Sequence, residues 1–128
     1  MKTQTYNLTN KDVTLTTYIL DTSFDHKKDY KRPAVLVLPG GGYAFCSNRE
    51  AEPIAMHFLA MGYNAFILRY SLNENSMFPQ PLEDADEAMQ MIIDNSDAWL
   101  VDAEKIAVCG FSAGGHLAAA LGTMGKIR

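Results

Sequence analysis

Three short, mainly apolar runs without strict polar alternation occur along the chain. They lie at 34–38, 63–70 and 106–109. A strand of a parallel sheet is covered by helices on both faces and therefore carries apolar side chains on both sides. The runs predict three buried parallel strands.

Segments with apolar residues at helical spacing lie between these runs and after the last one. The segment 49–61 has apolar positions at i, i+3, i+4 and i+7 and a stop at Gly62, and its predicted inner face holds Ile54, His57, Phe58 and Met61. The segment 81–94 has an inner face of Leu82, Ala85, Met89 and Ile92. Its acidic first turn suits a helix dipole, which favours a structural role for these carboxylates over a catalytic one. A third helix is predicted from Ala113, with Leu117, Leu121 and Met124 on one face.

Before the first apolar run, residues that share one strand face recur at every second position. Residues 4–8 and 13–20 flank a turn-rich 9–12, and Val13, Leu15, Thr17 and Ile19 share one face. This pattern predicts an antiparallel hairpin. The predicted fold is therefore α/β: a hairpin followed by parallel βαβ units, in three layers with helices on both faces of the sheet.

Composition narrows the classes of partner. The chain has 128 residues and a net charge of −4, and it has no Lys/Arg cluster, which argues against nucleic acid and anionic membranes as partners. It lacks an apolar signal segment and any 18-residue apolar run, so we expect a cytoplasmic protein that acts on a small molecule. Two cysteines, Cys46 and Cys109, predict no disulfide framework, and Cys109 is expected to be a small buried residue of a strand.

A Gly-Phe-Ser-Ala-Gly segment at 110–114 directly follows the last apolar run. This arrangement predicts a nucleophile elbow, a strand-to-helix turn so tight that small residues are needed on both sides of the nucleophile. Ser112 is the candidate nucleophile, and the N–H of Ala113, at a helix start, is a candidate oxyanion donor. The alternative is a glycine-rich turn that only packs closely.

A second glycine segment, Pro-Gly-Gly-Gly-Tyr at 39–43, follows the first apolar run. Phe45 stands where a dinucleotide loop needs its third glycine, and a P-loop Gly-Lys-Ser/Thr is absent, so phosphate binding is disfavoured. Small residues here let a ligand oxygen approach backbone N–H groups, which makes Gly41 and Gly42 candidate donors of the same oxyanion hole. The alternative is again a simple turn.

The sequence resembles the α/β-hydrolase fold, and within it the small esterases of the acetyl-esterase, hormone-sensitive-lipase-like and bacterial feruloyl-esterase-like group. The resemblance is carried by the motifs at 38–43, 78–85, 102–107 and 110–118. It implies a serine carboxylesterase that forms an acyl-enzyme without a metal or organic cofactor. By the same resemblance Ser112 is the nucleophile, and the oxyanion donors are Gly41, Gly42 and Ala113. Tyr43, next to the predicted oxyanion loop, is a candidate for lining the acyl or alcohol pocket, and the alternative is an aromatic side chain that only packs.

The resembled family places an acid and then a histidine after the nucleophile, but only sixteen residues follow Ser112. His116 is too close to Ser112 along one helix to act as its base. His57 is expected to face the core, and His26 lies in a polar loop. Asp102 precedes the strand and suits a turn-capping role.

We therefore expect residues 1–128 to be the N-terminal portion of a single α/β-hydrolase domain that lacks the C-terminal strands, with the acid and histidine beyond residue 128. The leading functional prediction is hydrolysis of short acyl esters, such as acetylated sugars or xylan fragments. One alternative is an inactive remnant that binds or dimerises through an open sheet edge, and homo-oligomerisation is left open. A peptidase or formamidase on the same fold would share every motif.

Overall fold

A computed structural model describes residues 1–22, 30–41, 46–72, 79–111, 114–115 and 117–119. The strands are β1 (Lys2–Asn7), β2 (Thr14–Ile19), β3 (Arg32–Leu38), β4 (Asn64–Arg69) and β5 (Val101–Gly110). The helices are α1 (Glu52–Ala60), preceded by a 3₁₀ turn (Asn48–Glu50), and α2 (Gln80–Asp94). Residues 114–115 and 117–119 are also helical.

The five strands form one sheet in the order β1-β2-β4-β3-β5. β1 and β2 are an antiparallel hairpin, and β2 also pairs antiparallel with β4. β3 pairs in parallel with β4 on one side and with β5 on the other. This arrangement confirms the prediction of a hairpin followed by parallel βαβ units.

Side chains of β3 alternate between two cores because successive residues of a strand point to opposite faces. Ala34, Leu36 and Leu38 pack in the core beneath α2, whereas Val35 and Val37 pack in the core beneath α1. All five side chains are fully buried. The predicted three-layer arrangement is confirmed.

The inner face predicted for the first helix is correct for Ile54 and Phe58, which are partly buried against the core, and wrong for His57 and Met61, which are exposed. The fully inward positions are instead Ala55 and Leu59, with Ala51 just before the start of α1. His57 is therefore not a core histidine, although its ring lies edge-on to Phe58 with 6.1 Å between centroids.

The last strand begins earlier than predicted, at Val101 rather than Ile106. Its pairing with β3 is irregular at first: Arg32 pairs with Val101, but Ala34 pairs with Ile106. Asp102 lies in this irregular stretch, where its Oδ1 accepts the N–H of Glu104 at 3.0 Å. That contact agrees with the turn-capping role predicted for Asp102.

Within the described part of the chain, β5 is hydrogen-bonded to a strand on one side only. Most of its residues are at least partly exposed, whereas in β3 every residue except Pro33 is buried. Cys109 is accordingly only partly buried, not enclosed as predicted. The described residues therefore leave one open edge of the sheet beside the predicted nucleophile.

Candidate active site

Both glycine segments leave the sheet at the carboxyl ends of parallel strands. β3 and β5 run in parallel, and their last residues, Leu38 and Gly110, are paired directly across the ladder. In open α/β sheets, ligands bind at the carboxyl ends of the strands. The predicted oxyanion loop and the predicted nucleophile elbow thus begin side by side at the carboxyl end of the sheet.

The elbow segment turns back immediately after β5. The Phe111 N–H donates to the carbonyl of Leu38 at 3.2 Å, which adds one more hydrogen bond to the parallel ladder. The Gly114 N–H then donates to the carbonyl of Phe111 at 2.8 Å and closes a tight four-residue turn. Ser112 and Ala113, like His116, lie outside the described residues.

Gly110 and Gly114, the two glycines of the predicted elbow, occupy positions where an added Cβ would clash with backbone atoms. A Cβ atom at Gly110 would lie 2.6 Å from the carbonyl carbon of Gly114, and closer still to its oxygen. A Cβ atom at Gly114 would lie 2.7 Å from the carbonyl carbon of Leu38 and 2.8 Å from the Pro39 oxygen. The second contact is not indicated by the sequence: Gly114 lies directly against the backbone of Leu38 and Pro39, where the segment 39–43 begins.

The first residues of the predicted oxyanion loop have a defined backbone. Gly41 has a φ of 145°, a conformation that side-chain-bearing residues rarely adopt. The carbonyl of Gly40 accepts the N–H of Ser47 at 2.8 Å, which brings the two ends of the loop together. Gly42 and Tyr43, the other two residues predicted here, lie outside the described residues, as does His26 in its polar loop.

Two side chains that the sequence did not single out hold the base of this loop. The buried Tyr70, directly after β4, donates its hydroxyl hydrogen to the carbonyl of Pro39. Glu50, in the 3₁₀ turn, accepts the N–H of Gly40 through Oε1 at 3.0 Å. Both contacts link residues distant in the sequence, and no local pattern indicates them.

The buried carboxylate of Asp84 accepts hydrogen bonds near the carboxyl end of β4. Asp84, in the first turns of α2, is fully buried. Its Oδ2 accepts the N–H of Ser71 and its Oδ1 accepts the side-chain N–H of Asn10, each at 2.7 Å. Asp84 therefore joins α2 to the end of β4 and to the β1–β2 turn, and its role is structural.

The cysteines are not activated nucleophiles. Burial raises the pKa of the Cys46 thiol, although a backbone hydrogen bond from Tyr70 and the charge of Arg69 act in the opposite direction. Burial also raises the pKa of Cys109. Because the thiolate is the reactive form, both side chains stay neutral and weakly reactive near pH 7.

A groove of about 680 Å³ lies at the other end of the sheet, where Lys2, Ile19 and Trp99 are among its lining residues. These residues adjoin the amino ends of the parallel strands, opposite the glycine segments. The groove is therefore separate from the candidate active site. The described residues contain no group of three His, Cys, Asp or Glu side chains arranged to hold a metal ion.

A family model named BD-FAE matches residues 20–128. The chain belongs to the BD-FAE family. The match contains both glycine segments and every strand of the parallel part of the sheet. Among the described residues, no helix has the length and apolar composition needed to cross a bilayer.

This BD-FAE chain is similar to a solved α/β hydrolase and to curated proteins that include a xylanase and an acetylxylan esterase. The structure of MGS-M1, an alpha/beta hydrolase enzyme from a Medee basin deep-sea metagenome library, superposes with a TM-score of 0.97 and 53% identity over 100% of this chain and 53% of its own. Endo-1,4-beta-xylanase B of Butyrivibrio fibrisolvens is 41% identical over 75% of the chain and 16% of its own length. Acetylxylan esterase of Xylanibacter ruminicola is 30% identical over 71% of the chain and 19% of its own length.

These figures show the α/β-hydrolase fold that the sequence predicted. The chain spans about half the length of the solved structure and less than a fifth of the xylanase and of the acetylxylan esterase.

Proposed function

We propose that the protein is a serine-dependent carboxylic ester hydrolase. The observation that carries the proposal is the pairing of Leu38 with Gly110. This pairing brings the two glycine segments together at the carboxyl end of the sheet. The contact of Gly114 with the Leu38–Pro39 backbone keeps them together. A nucleophile and backbone N–H donors drawn from two such segments suit acyl transfer through a tetrahedral oxyanion.

In the proposed mechanism, the Ser112 hydroxyl oxygen attacks the ester carbonyl while the general base takes its proton, and a tetrahedral intermediate forms. The N–H groups of Gly41, Gly42 and Ala113 stabilise the negative oxygen. The intermediate collapses to an acyl-enzyme as the alcohol leaves with a proton from the general base, and water then releases the acid. The general base and its orienting acid are proposed to lie beyond residue 128, because His57 is exposed on α1 and Asp102 caps a turn.

Short acyl esters of sugars, including acetylated xylan fragments, are the proposed substrates. The support is the likeness to an acetylxylan esterase and to a xylanase. A peptidase or formamidase would use the same nucleophile and donors. Hydrolysis rates for p-nitrophenyl acetate, a longer p-nitrophenyl ester, acetylated xylo-oligosaccharides, a peptide anilide and N-formyl substrates separate these classes, and the proposal predicts the highest kcat/KM for acetyl esters.

The test of the serine mechanism compares the protein expressed from its complete gene with Ser112→Ala. Removal of a catalytic serine lowers kcat by about 10⁶-fold, so hydrolysis of p-nitrophenyl acetate should fall to background. Ser96→Ala is the matched control, since Ser96 lies in the connection between α2 and β5 at the opposite end of the sheet. Equal rates for the wild type and a folded Ser112→Ala variant would refute the mechanism.

The open edge of β5 favours a second candidate function, a non-catalytic module that binds a partner or dimerises by strand addition. This function predicts no Ser112-dependent hydrolysis. It also predicts a concentration-dependent increase in molar mass by light scattering, which a charged substitution on β5 such as Ala107→Lys would abolish. A monodisperse monomer with Ser112-dependent activity would exclude it.

A further inference from the structure

The peptide group between Pro39 and Gly40 is held at both of its polar ends by side chains. Tyr70 donates its hydroxyl hydrogen to the carbonyl of Pro39, and Glu50 accepts the N–H of Gly40 at 3.0 Å. A peptide group is a rigid plane, so two hydrogen bonds on opposite sides prevent its rotation. Two side chains thereby define how the oxyanion loop leaves β3.

The next peptide group, between Gly40 and Gly41, is fixed through its carbonyl. Ser47 donates its backbone N–H to the Gly40 carbonyl at 2.8 Å. In a trans peptide the C=O and N–H bonds point in opposite directions, so the Gly41 N–H points away from Ser47. Rotation of this peptide group by half a turn would replace the N–H at the candidate oxyanion position with a carbonyl oxygen.

Tyr70 and Glu50 are anchored on separate elements. Tyr70 directly follows β4 and is 1% exposed, whereas Glu50 ends the 3₁₀ turn before α1 and is half-buried. The loop is thus held from the neighbouring strand and from the element that follows it in the chain. Since glycine has the widest choice of backbone conformations, Gly40 and Gly41 need such external support to keep one conformation.

We propose that Glu50 and Tyr70 are positioning residues that orient the Gly41 N–H as an oxyanion donor. The inference rests on the proposed esterase function and extends it to two residues outside the glycine motifs. Neither side chain is placed against the reacting ester; both act through the Pro39–Gly40 backbone. Preorganised donors stabilise the transition state more than the bound substrate, so loss of orientation should lower kcat and leave KM almost unchanged.

The test measures kcat and KM for p-nitrophenyl acetate in Glu50→Ala, Glu50→Gln and Tyr70→Phe. Glu50→Ala and Tyr70→Phe should each lower kcat about 10- to 100-fold, somewhat less than deletion of a donor. Glu50→Gln keeps an oxygen that can accept the Gly40 N–H, so its kcat should stay within about threefold of wild type. A role limited to folding would instead change the melting temperature with kcat per folded molecule preserved.

Matched controls come from a similar pair on the α1 side of the sheet. Tyr18 is 3% exposed and donates its hydroxyl hydrogen to Glu52 Oε2 at 3.0 Å. Glu52→Ala and Tyr18→Phe remove the same chemical groups without touching the loop, and both should retain wild-type kcat. The proposal is wrong if Glu50→Ala and Tyr70→Phe lose no more kcat than these controls.

A second measurement separates this inference from the esterase proposal. Amide hydrogen exchange at Gly40 reports its bond to Glu50 whether or not the protein hydrolyses esters. Exchange should be at least about tenfold faster in Glu50→Ala than in wild type and close to wild type in Glu50→Gln. Unchanged exchange in Glu50→Ala overturns the hydrogen bond on which the positioning role rests. Unchanged hydrolysis in Ser112→Ala instead overturns the serine mechanism, and with it the oxyanion role of the loop, while the Glu50–Gly40 hydrogen bond stands.

Discussion

Substitution of Gly114 by alanine tests the close packing of the elbow against the oxyanion loop. The added Cβ would lie 2.7 Å from the Leu38 carbonyl carbon and 2.8 Å from the Pro39 oxygen, distances that real Cβ atoms do not reach. These are backbone atoms of a buried strand end, so they cannot move aside as a flexible side chain could. Gly114→Ala must therefore separate the elbow from β3.

Gly115→Ala is the matched control. There the nearest atoms to an added Cβ are the carbonyl oxygen and carbon of Gly110, at 3.5 and 3.7 Å, which is ordinary contact. Alanine is favoured over glycine in a helix by up to about 1 kcal/mol, a gain available at both positions. Overpacking costs about 1–3 kcal/mol in adaptable cores, and the rigid surroundings of Gly114 place it at the upper end.

The difference between the two variants should therefore be about 3 kcal/mol in the free energy of unfolding. For a chain of this size, that difference corresponds to roughly 10 °C in melting temperature. Circular dichroism on heating and urea titration measure it, and hydrolysis of p-nitrophenyl acetate should fall in Gly114→Ala alone. Melting temperatures for the two variants within about 2 °C of each other would refute the reasoning.

Two further predictions concern buried polar side chains. Asp84→Ala should lower the free energy of unfolding by at least about 3 kcal/mol, measured by urea titration, because the buried N–H of Ser71 loses its carboxylate acceptor. Asp84→Asn should lower it less. Equal stability of Asp84→Ala and wild type would contradict the structural role of Asp84. Burial, followed by the hydrogen bond and charge of Glu52, raises the pKa of Tyr18 from 10.0 to about 12. The unfolded chain ionises Tyr18 first, so the stability associated with its protonated form is present below pH 10 and is lost as the pH rises through 12. Over this window wild type should lose up to about 3 kcal/mol relative to Tyr18→Phe, and parallel stability curves would contradict the prediction.

The order of elements could be predicted from hydrophobic patterning because each parallel strand is buried on both faces. The continuous apolar run at 34–38 reflects the two cores that β3 separates. The inner face of α1 could not be predicted in the same way. Large side chains such as Met61 suggest an inner face, but Met61 is exposed and the small Ala51 and Ala55 are buried, because helical spacing alone does not tell which side of a mainly apolar helix faces the sheet.

The candidate site was only partly accessible to sequence reasoning. Glycine spacing indicates the elbow because the crowding that requires Gly110 is local to the turn. The roles of Glu50 and Tyr70 depend on tertiary hydrogen bonds to the Pro39–Gly40 peptide, and nothing in their neighbouring residues signals such bonds. Gly114 shares features with both groups. Its place in the glycine motif can be recognised from the sequence, but its contact with Leu38 depends on the tertiary structure.

The central claim is that Ser112 is the nucleophile of an esterase. The most direct measurement is reaction of the protein, expressed from its complete gene, with a fluorophosphonate, followed by mass spectrometry of the digested protein. We predict a single covalent adduct on Ser112 that is absent from Ser112→Ala and preserved in Ser96→Ala. An adduct on a different residue, or none in a folded protein that hydrolyses esters, would contradict the account.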